Sequence, residues 1–257
     1  MKFDSDPDSA KTAIVTGTST GIGEAVAREL LEHGWSVIGI ARRPSPFAHD
    51  HYRHVAYDLA GVVDDPAALE SQLALHDVHA LRRVGLVNNA AVSDGLMPVA
   101  RLDPRQLARI YAVNLIAPLW LMGYVLRAAP HDTPVRIVNV SSGAGTNGFA
   151  GLAAYGSGKA ALRLAGMSLA REWDTPSPTA APRTDAAVLS YEPGVVDTDM
   201  QRYARSRPAD EFPWAQMFHD FAARGVAVPP ERPAREIVAF LESDSEPPFA
   251  ERRLRMG

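Results

Sequence analysis

The 257-residue chain carries 26 basic and 30 acidic residues, a formal net charge of -4, and 46% of its residues are hydrophobic. This composition suits one globular domain with a large core and excludes the highly charged, weakly hydrophobic composition of a disordered chain. The charge balance offers no broad basic surface for nucleic acid, and the lack of cysteine excludes disulfides and thiolate sites.

The amino terminus carries no targeting pattern. Residues 1–10 are polar and acidic, and we expect them to form a mobile tail. No uninterrupted apolar run reaches the length of about 18 residues that a membrane-spanning helix needs. We therefore expect a cytoplasmic protein that does not bind membranes.

A strand, a glycine-rich turn and a helix open the domain. The β-branched run Thr12–Thr16 predicts a buried strand. Ile22, Val26 and Leu30 then follow at four-residue spacing, and Gly34 closes the segment as the expected C′ residue of an amphipathic helix. Glycines in such a turn allow a pyrophosphate to approach the backbone at the helix amino terminus.

Strands and helices continue to alternate. Asp65-Pro66 and Asp103-Pro104 each place a capping carboxylate before a proline suited to the first helical turn. Helical segments are also expected over Tyr155–Trp173 and about Ala234–Glu242, whereas the charged carboxyl-terminal ERRLRMG permits no clear strand prediction. Apolar runs predict five further strands, at Ser36–Ala41, His54–Tyr57, Val84–Asn88, Val135–Val140 and Ala187–Ser190.

This alternation predicts an α/β fold with a doubly wound parallel sheet and helices on both faces, a Rossmann-type arrangement. We find no internal repeat and no linker, so we expect a single dinucleotide-binding domain over residues 11–257.

Several ordered motifs resemble those of the short-chain dehydrogenase/reductase family over about residues 11–245. They are the glycine turn TGTSTGIG at 16–23, NNAA at 88–91 with Ala91 where the family has glycine, Asn114 in VNLIAP, Ser142 thirteen residues before a tyrosine, YGSGK at 155–159, and Pro193-Gly194. The resemblance implies a catalytic set of Asn114, Ser142, Tyr155 and Lys159. It also implies a cofactor site formed by Gly17, Ser19, Thr20, Gly21, Ile22, Gly23, Arg42, Asp58, Leu59, Asn89, Ala90, Tyr155, Lys159, Pro193, Gly194, Val196 and Thr198.

The spacing of Tyr155 and Lys159 makes chemical sense for carbonyl reduction. Residues four apart on a helix share a face, so the ammonium group can lie near the phenol. We expect Lys159 to lower the pKa of Tyr155 by about three units, which requires roughly 4 kcal/mol. Ser142 would hydrogen-bond the substrate oxygen, and Asn114 would fit the family's role of holding a water that links Lys159 to solvent.

The end of the second strand indicates the cofactor. An acidic residue there would bind the ribose of NAD, whereas Arg42 and Arg43 favour the 2′-phosphate of NADP(H). Asp58-Leu59 matches the family's adenine-contacting pair. The clustered His49, His51 and His54 lack a metal-ligand pattern, and we expect no metal site.

A shorter segment, SYEPGVVDTDMQ at 190–201, resembles sepiapterin reductases and bacterial benzil reductases. The family places a substrate lid at about residues 195–230, where the aromatic side chains either line a substrate pocket or pack a helix onto the body. Because the acidic pterin anchor of sepiapterin reductases is missing near the carboxyl terminus, we expect a small-molecule substrate that is a bulky aromatic ketone or dicarbonyl. Alternatives are a 3-oxoacyl thioester reductase, a sepiapterin reductase and a non-catalytic NADP(H)-sensing regulator.

The resemblance also implies a homodimer or homotetramer. In the family, the subunit contacts commonly form through the helices that begin here near Asp103 and Tyr155.

Overall fold

The computed structural model describes residues 11–75, 81–174, 183 and 185–254, and the predicted amino-terminal tail lies outside these residues. Seven parallel strands form one sheet in the order β3-β2-β1-β4-β5-β6-β7. The strands are β1 Lys11–Thr16, β2 Ser36–Ala41, β3 Tyr52–Ala56, β4 Arg83–Asn88, β5 Val135–Val140, β6 Ala186–Glu192 and β7 Phe249–Arg253.

Helices cover both faces of this sheet, as the alternating sequence pattern predicts. Helices α1 and α8 pack on one face, and α2, α4 and α5 pack on the other. Each strand therefore contributes alternate side chains to two separate cores. The helices are α1 Gly21–Glu32, α2 Pro66–Leu73, α3 Pro104–Tyr111, α4 Ala117–Ala128, α5 Ala153–Asp174, α6 Asp199–Ser206, α7 Ala215–Ala223 and α8 Glu231–Glu242.

The predicted helix ends are confirmed. The side chains of Asp65 and Asp103 accept hydrogen bonds from the backbone N–H groups of Ala68 and Gln106, and a proline follows each cap. Gly34 has a φ of 73° and closes α1 in the left-handed conformation. Local cap chemistry in the sequence thus fixes where these three helices begin or end.

The longest apolar helical segment runs from Pro104 to Ala128 and joins α3 and α4 through one π-helical turn at Ala112–Ile116. It is the one helix among the described residues that is long and apolar enough to cross a membrane. More than half of its apolar window is buried inside the protein, where α4 packs against the sheet. We therefore identify it as a core helix of this domain.

The charged carboxyl-terminal segment, for which the sequence permits no clear prediction, contains the last strand. Among the described strands, β7 pairs with β6 alone, so its outer edge and most of its side chains meet solvent. Its charges have partners: Glu251 pairs with Arg163, and Arg252 pairs with Glu246. Charged side chains on an edge strand also discourage pairing with another chain, which explains the unusual composition.

Helices α6 and α7 form a small subdomain, the α6–α7 segment, that covers the carboxyl ends of the strands. Phe212 is fully buried there in a cluster with Leu96, Ala204 and Ala215. Trp214 makes an edge-to-face contact with Phe149 of the main body, at a ring-centroid distance of 5.5 Å. The sequence left open whether the aromatic side chains of this segment line a pocket or pack on the body. The structure shows both, because some of them pack on the body and others face the cleft described below.

Gly23 sets the contact between α1 and the glycine turn. A Cβ atom at this position would lie 2.3 Å from the carbonyl oxygen of Gly17 and 2.5 Å from Nδ2 of Asn89. Both distances are shorter than any real carbon contact, so only glycine lets the helix approach the end of β1 this closely.

We predict that Gly23→Ala lowers the free energy of unfolding by about 1–3 kcal/mol, because the added methyl group displaces backbone. Gly148→Ala is the matched control, since a Cβ there meets nothing within 4 Å. Thermal unfolding of the two variants measures the difference. Equal melting temperatures for both variants would contradict the packing role of Gly23.

Candidate active site

A cleft of about 600 Å³ opens at the carboxyl ends of the strands. The strand order reverses between β1 and β4, and the crevice at such a reversal is where open α/β sheets bind ligands. The glycine turn and the ends of β2, β4, β5 and β6 line one side of the cleft, and the α6–α7 segment lines the other.

The side chain of Thr16 ties the floor of the cleft together. Its hydroxyl oxygen accepts hydrogen bonds from the backbone N–H groups of Asn89 and Ala90, at 3.0 and 2.9 Å. Asn89 returns a bond from its side-chain amide to the carbonyl oxygen of Thr16, at 2.9 Å. These bonds join the ends of β1 and β4. With Gly17 and Gly21 at φ values of 77° and 61°, they shape a turn with exposed backbone.

Tyr155, Lys159 and Ser142 meet at one wall of the cleft. Tyr155 and Lys159 lie one turn apart on α5, and the ammonium group of Lys159 is 5.7 Å from the centre of the Tyr155 ring. The Ser142 side chain hydrogen-bonds the Tyr155 hydroxyl. Lys159 is buried, and its Nζ donates to the carbonyl oxygen of Val140 at 2.7 Å.

The pKa of Tyr155 differs from the sequence-based expectation. Burial of the phenol raises its pKa to about 12, and the hydrogen bond from Ser142 offsets only part of that effect. The Nζ atom of Lys159 lies over the ring and donates to Val140, and any attraction between its charge and the phenolate does not offset the burial of the phenol. Burial lowers the pKa of Lys159 to about 8, so its amino group is still mostly protonated at neutral pH.

Asn114 lies behind the cleft, in the π-helical turn that joins α3 and α4. Its side-chain oxygen accepts from the N–H of Val92 at 2.8 Å, and its amide donates to the carbonyl oxygen of Val92 at 2.9 Å. The side chain is buried and holds the loop that follows β4 in place. A π-helical turn is rare and is frequently found at functional sites, and the sequence gives no periodic signal for it.

Charged side chains gather at the other end of the cleft. Arg42 and Arg43 follow β2 and are exposed, and Arg43 pairs with Asp199 of α6 at 3.4 Å. Asp58 accepts from the backbone N–H of Ala60 and pairs with Arg109 at 3.0 Å. The backbone bond, Arg109 and the nearby Arg42 outweigh the effect of burial and lower the pKa of Asp58.

The structure brings almost all of the sequence-predicted site residues to this cleft. Two of them do not line it: Gly23 is buried beneath the turn, and Asn114 lies behind Val92. Those that line the cleft are Gly17, Ser19, Thr20, Gly21, Ile22, Arg42, Asp58, Leu59, Asn89, Ala90, Ser142, Tyr155, Lys159, Pro193, Gly194, Val196 and Thr198.

Several lining residues are absent from the sequence-based set. Phe149 and Leu152 come from the loop before α5, and Glu192 and Arg253 come from the ends of β6 and β7. Phe149 and Leu152 belong to none of the sequence motifs. Glu192 directly precedes the Pro193-Gly194 turn, where the sequence indicates it only as an alternative acidic anchor for a pterin. Arg253 depends on β7, which the sequence does not reveal.

The chain is similar to known proteins over most of its length. A family model described as short chain dehydrogenase matches residues 11–209. The (S)-benzoin-forming benzil reductase of Bacillus subtilis (strain 168) is 28% identical over 234 residues, which cover 91% of this chain and 94% of that protein. The 3-oxoacyl-acyl-carrier-protein reductase of Vibrio cholerae is 34% identical over 196 residues, 75% of this chain and 76% of that protein.

Two further proteins cover nearly the whole chain. The sepiapterin reductase of Bos taurus is 28% identical over 250 residues, with 90% of this chain and 89% of that protein covered. Among solved structures, the crystal structure of the KRED1-Pglu enzyme superposes with a TM-score of 0.73 at 28% identity, over 93% of this chain and 100% of that chain.

Proposed function

Since the chain belongs to the short-chain dehydrogenase family and is therefore an oxidoreductase, we propose that it uses NADP(H) to reduce the carbonyl group of bulky aromatic ketones or 1,2-dicarbonyl compounds. The observation that carries this proposal is the single cleft that holds Ser142, Tyr155 and Lys159 at one wall and Arg42 at its far end.

The residues along the cleft fit a dinucleotide. The glycine turn offers backbone N–H groups at the amino terminus of α1, where the helix dipole favours a pyrophosphate. Asp58 and Leu59 line the adenine end, and the exposed Arg42 offers a fork of donors that suits a phosphate. When bound, NADPH supplies the hydride for the reduction.

The protein itself supplies the proton that the reduction needs. With its pKa raised to about 12, Tyr155 stays protonated at neutral pH and is able to donate to the carbonyl oxygen. The phenolate left behind is stabilised by Ser142, which bonds its oxygen, and by the charged Lys159. We propose that Asn114 acts indirectly, through the backbone of Val92 that it fixes.

We predict that Tyr155→Phe removes nearly all reductase turnover and leaves cofactor binding intact, because only the proton donor is lost. Turnover is measured with saturating NADPH, and cofactor affinity is measured separately by fluorescence titration. Retention of more than about a tenth of wild-type turnover would contradict the assignment of Tyr155 as the acid.

Arg42→Ala should raise the KM for NADPH by around tenfold, which corresponds to about 1.4 kcal/mol, and should leave the use of NADH nearly unchanged. Arg43→Ala serves as the comparison, and we expect a smaller effect because Asp199 already pairs with that side chain. Equal losses with NADPH and NADH would instead show that Arg42 supports the fold.

The substrate proposal rests on the apolar wall of the cleft. Besides Leu96, Phe149 and Leu152, the wall includes Tyr203, Met217, Phe218 and Phe221 of the α6–α7 segment. Burying aromatic rings against such a wall contributes about 25 cal/mol for each Å² of apolar surface. The relationship to benzil reductases supports the same substrate class.

The experiment compares kcat/KM for benzil, sepiapterin and an acetoacetyl thioester under identical NADPH. We expect benzil to exceed both of the others by about tenfold or more, because it buries two rings and leaves no hydrogen-bond donor unpaired. A preference for the thioester would favour the 3-oxoacyl reductase alternative. A preference for sepiapterin would indicate an acidic pterin anchor beside the Pro193-Gly194 turn, such as Asp197, Asp199 or Glu192. NADPH binding without turnover of any carbonyl would favour a regulator.

We further propose that the chain forms a dimer through α4 and α5. Large apolar side chains remain exposed on these neighbouring helices and at the end of the π-helical turn that precedes α4: Ile116 at 42%, Leu119 at 42% and Leu164 at 61%. Exposed apolar side chains on adjacent helices are typical of subunit contacts.

Leu164→Glu should convert the dimer to a monomer, because it places a charge in the proposed apolar contact. Val99→Glu is the control, since Val99 is 68% exposed and lies outside α4 and α5, in the short helical turn Val99–Arg101. Sedimentation velocity measures the state of both variants. A monomeric wild-type protein, or an unchanged oligomer in the Leu164 variant, would refute this interface.

A further inference from the structure

Building on the proposed carbonyl reduction, we propose that Arg253 and Glu192 form a specificity site for a second, uncharged carbonyl oxygen beside the one that is reduced. The chain would then select neutral 1,2-dicarbonyl compounds over monoketones and over 2-oxo acids. Arg253 belongs to no motif noted in the sequence, and Glu192 lies in the SYEPGVVDTDMQ segment without a role in the predicted site. The site exists because β7 pairs with β6.

The two residues are held together by the sheet. Glu192 and Arg253 end β6 and β7 and are partners in the strand register. The backbone N–H of Leu254 donates to the carbonyl oxygen of Glu192 at 2.9 Å, and the Leu254 side chain is buried in the core. The backbone that carries Arg253 is therefore anchored at the edge where the cleft opens.

The pair lies next to the reaction centre. The Oε1 atom of Glu192 is 3.0 Å from the position that a Cβ on Gly143 would take, and Gly143 directly follows Ser142. The Ser142 hydroxyl bonds that of Tyr155, and both Glu192 and Arg253 line the same cleft as these groups. A group attached to the carbon next to the reacting carbonyl would therefore face the pair.

The charges of the pair define what it can bind. Nε of Arg253 is 3.2 Å from Oε1 of Glu192, and the Arg253 side chain is 74% exposed whereas that of Glu192 is 22% exposed. A guanidinium group carries only donors, and the N–H bonds at the far end of its fork point away from a partner that binds at Nε. A carbonyl oxygen, which only accepts, is complementary to them.

Glu192 decides between neutral and anionic ligands. Its negative charge cancels most of the field of Arg253 at distances beyond the pair, so a substrate carboxylate gains little Coulomb attraction and meets a repulsive neighbour. A neutral carbonyl oxygen needs only the hydrogen bond and suffers no such repulsion. The pair thus favours a dicarbonyl over a 2-oxo acid of similar size.

The first test is Arg253→Met, assayed with matched substrates: benzil against deoxybenzoin, and 1-phenyl-1,2-propanedione against propiophenone. We expect kcat/KM to fall about tenfold for each dicarbonyl and to stay within about twofold for each monoketone, since only the dicarbonyl loses a charged hydrogen bond.

Arg252→Met is the matched control. Arg252 lies on the same strand, but it pairs with Glu246 and packs over the Phe240 ring instead of lining the cleft. We expect this variant to leave the preference for dicarbonyls unchanged. An equal loss of preference in both variants would show that β7 stability, not Arg253, is responsible, and would overturn the inference.

The second test is Glu192→Gln, which keeps the shape and removes the charge. We expect kcat/KM for phenylglyoxylate to rise about tenfold relative to benzil, because Arg253 then attracts the substrate carboxylate without compensation. An unchanged ratio would overturn the role of Glu192 as the discriminating charge.

These outcomes separate the inference from the proposed function. A wild-type enzyme that reduces dicarbonyls and monoketones equally well, or an Arg253 variant with an unchanged ratio, overturns the inference and leaves carbonyl reduction standing. A wild-type enzyme that reduces none of the four aromatic substrates overturns both.

Discussion

The hydrogen bonds between Thr16 and the backbone of Asn89 and Ala90 hold the ends of β1 and β4 at the point where the strand order reverses. All strands of a parallel sheet end at the same edge, but only at this reversal do the connections diverge and leave a crevice. A threonine side chain serves here because its one oxygen accepts from two successive N–H groups. These hydrogen bonds therefore fix the glycine turn after β1 relative to the residues that follow β4, and both segments line the cleft.

Burial and charge are balanced against each other at the reaction centre. A phenol and an ammonium group share the wall of the cleft, and burial disfavours the charged form of both. The result is an acid that keeps its proton at neutral pH beside a lysine that still carries most of its charge. The buried Asn114 adds rigidity, because it satisfies both backbone groups of Val92 in a helix turn of rare geometry.

The opposite wall of the cleft is built by chain segments that arrive late in the sequence. The α6–α7 segment packs around Phe212 in a small cluster that also includes Leu96 and Leu152 of the main body, and this cluster is separate from the two cores on the faces of the sheet. Strand β7 brings Arg253 to Glu192 through backbone pairing alone. The two walls therefore differ in origin: one consists of the ends of the central strands, and the other of the α6–α7 segment and an edge strand.

The sequence by itself determined the elements whose signals are local. Asp65, Asp103 and Gly34 marked helix ends through cap chemistry, the apolar runs marked β1 to β6, and the motif spacing identified the residues now found around the cleft. Only the tertiary structure decided the rest. The pKa of Tyr155 depends on burial and on where Lys159 donates its bond, and neither follows from a four-residue spacing. Strand β7 has no apolar pattern because it lies at an edge, so the pairing that places Arg253 in the cleft depends on β6, some sixty residues earlier in the chain. The periodicity of apolar residues indicates which side chains share one face of a helix or strand. The pKa of Tyr155 and the position of Arg253 instead arise from contacts between elements that are far apart in the chain.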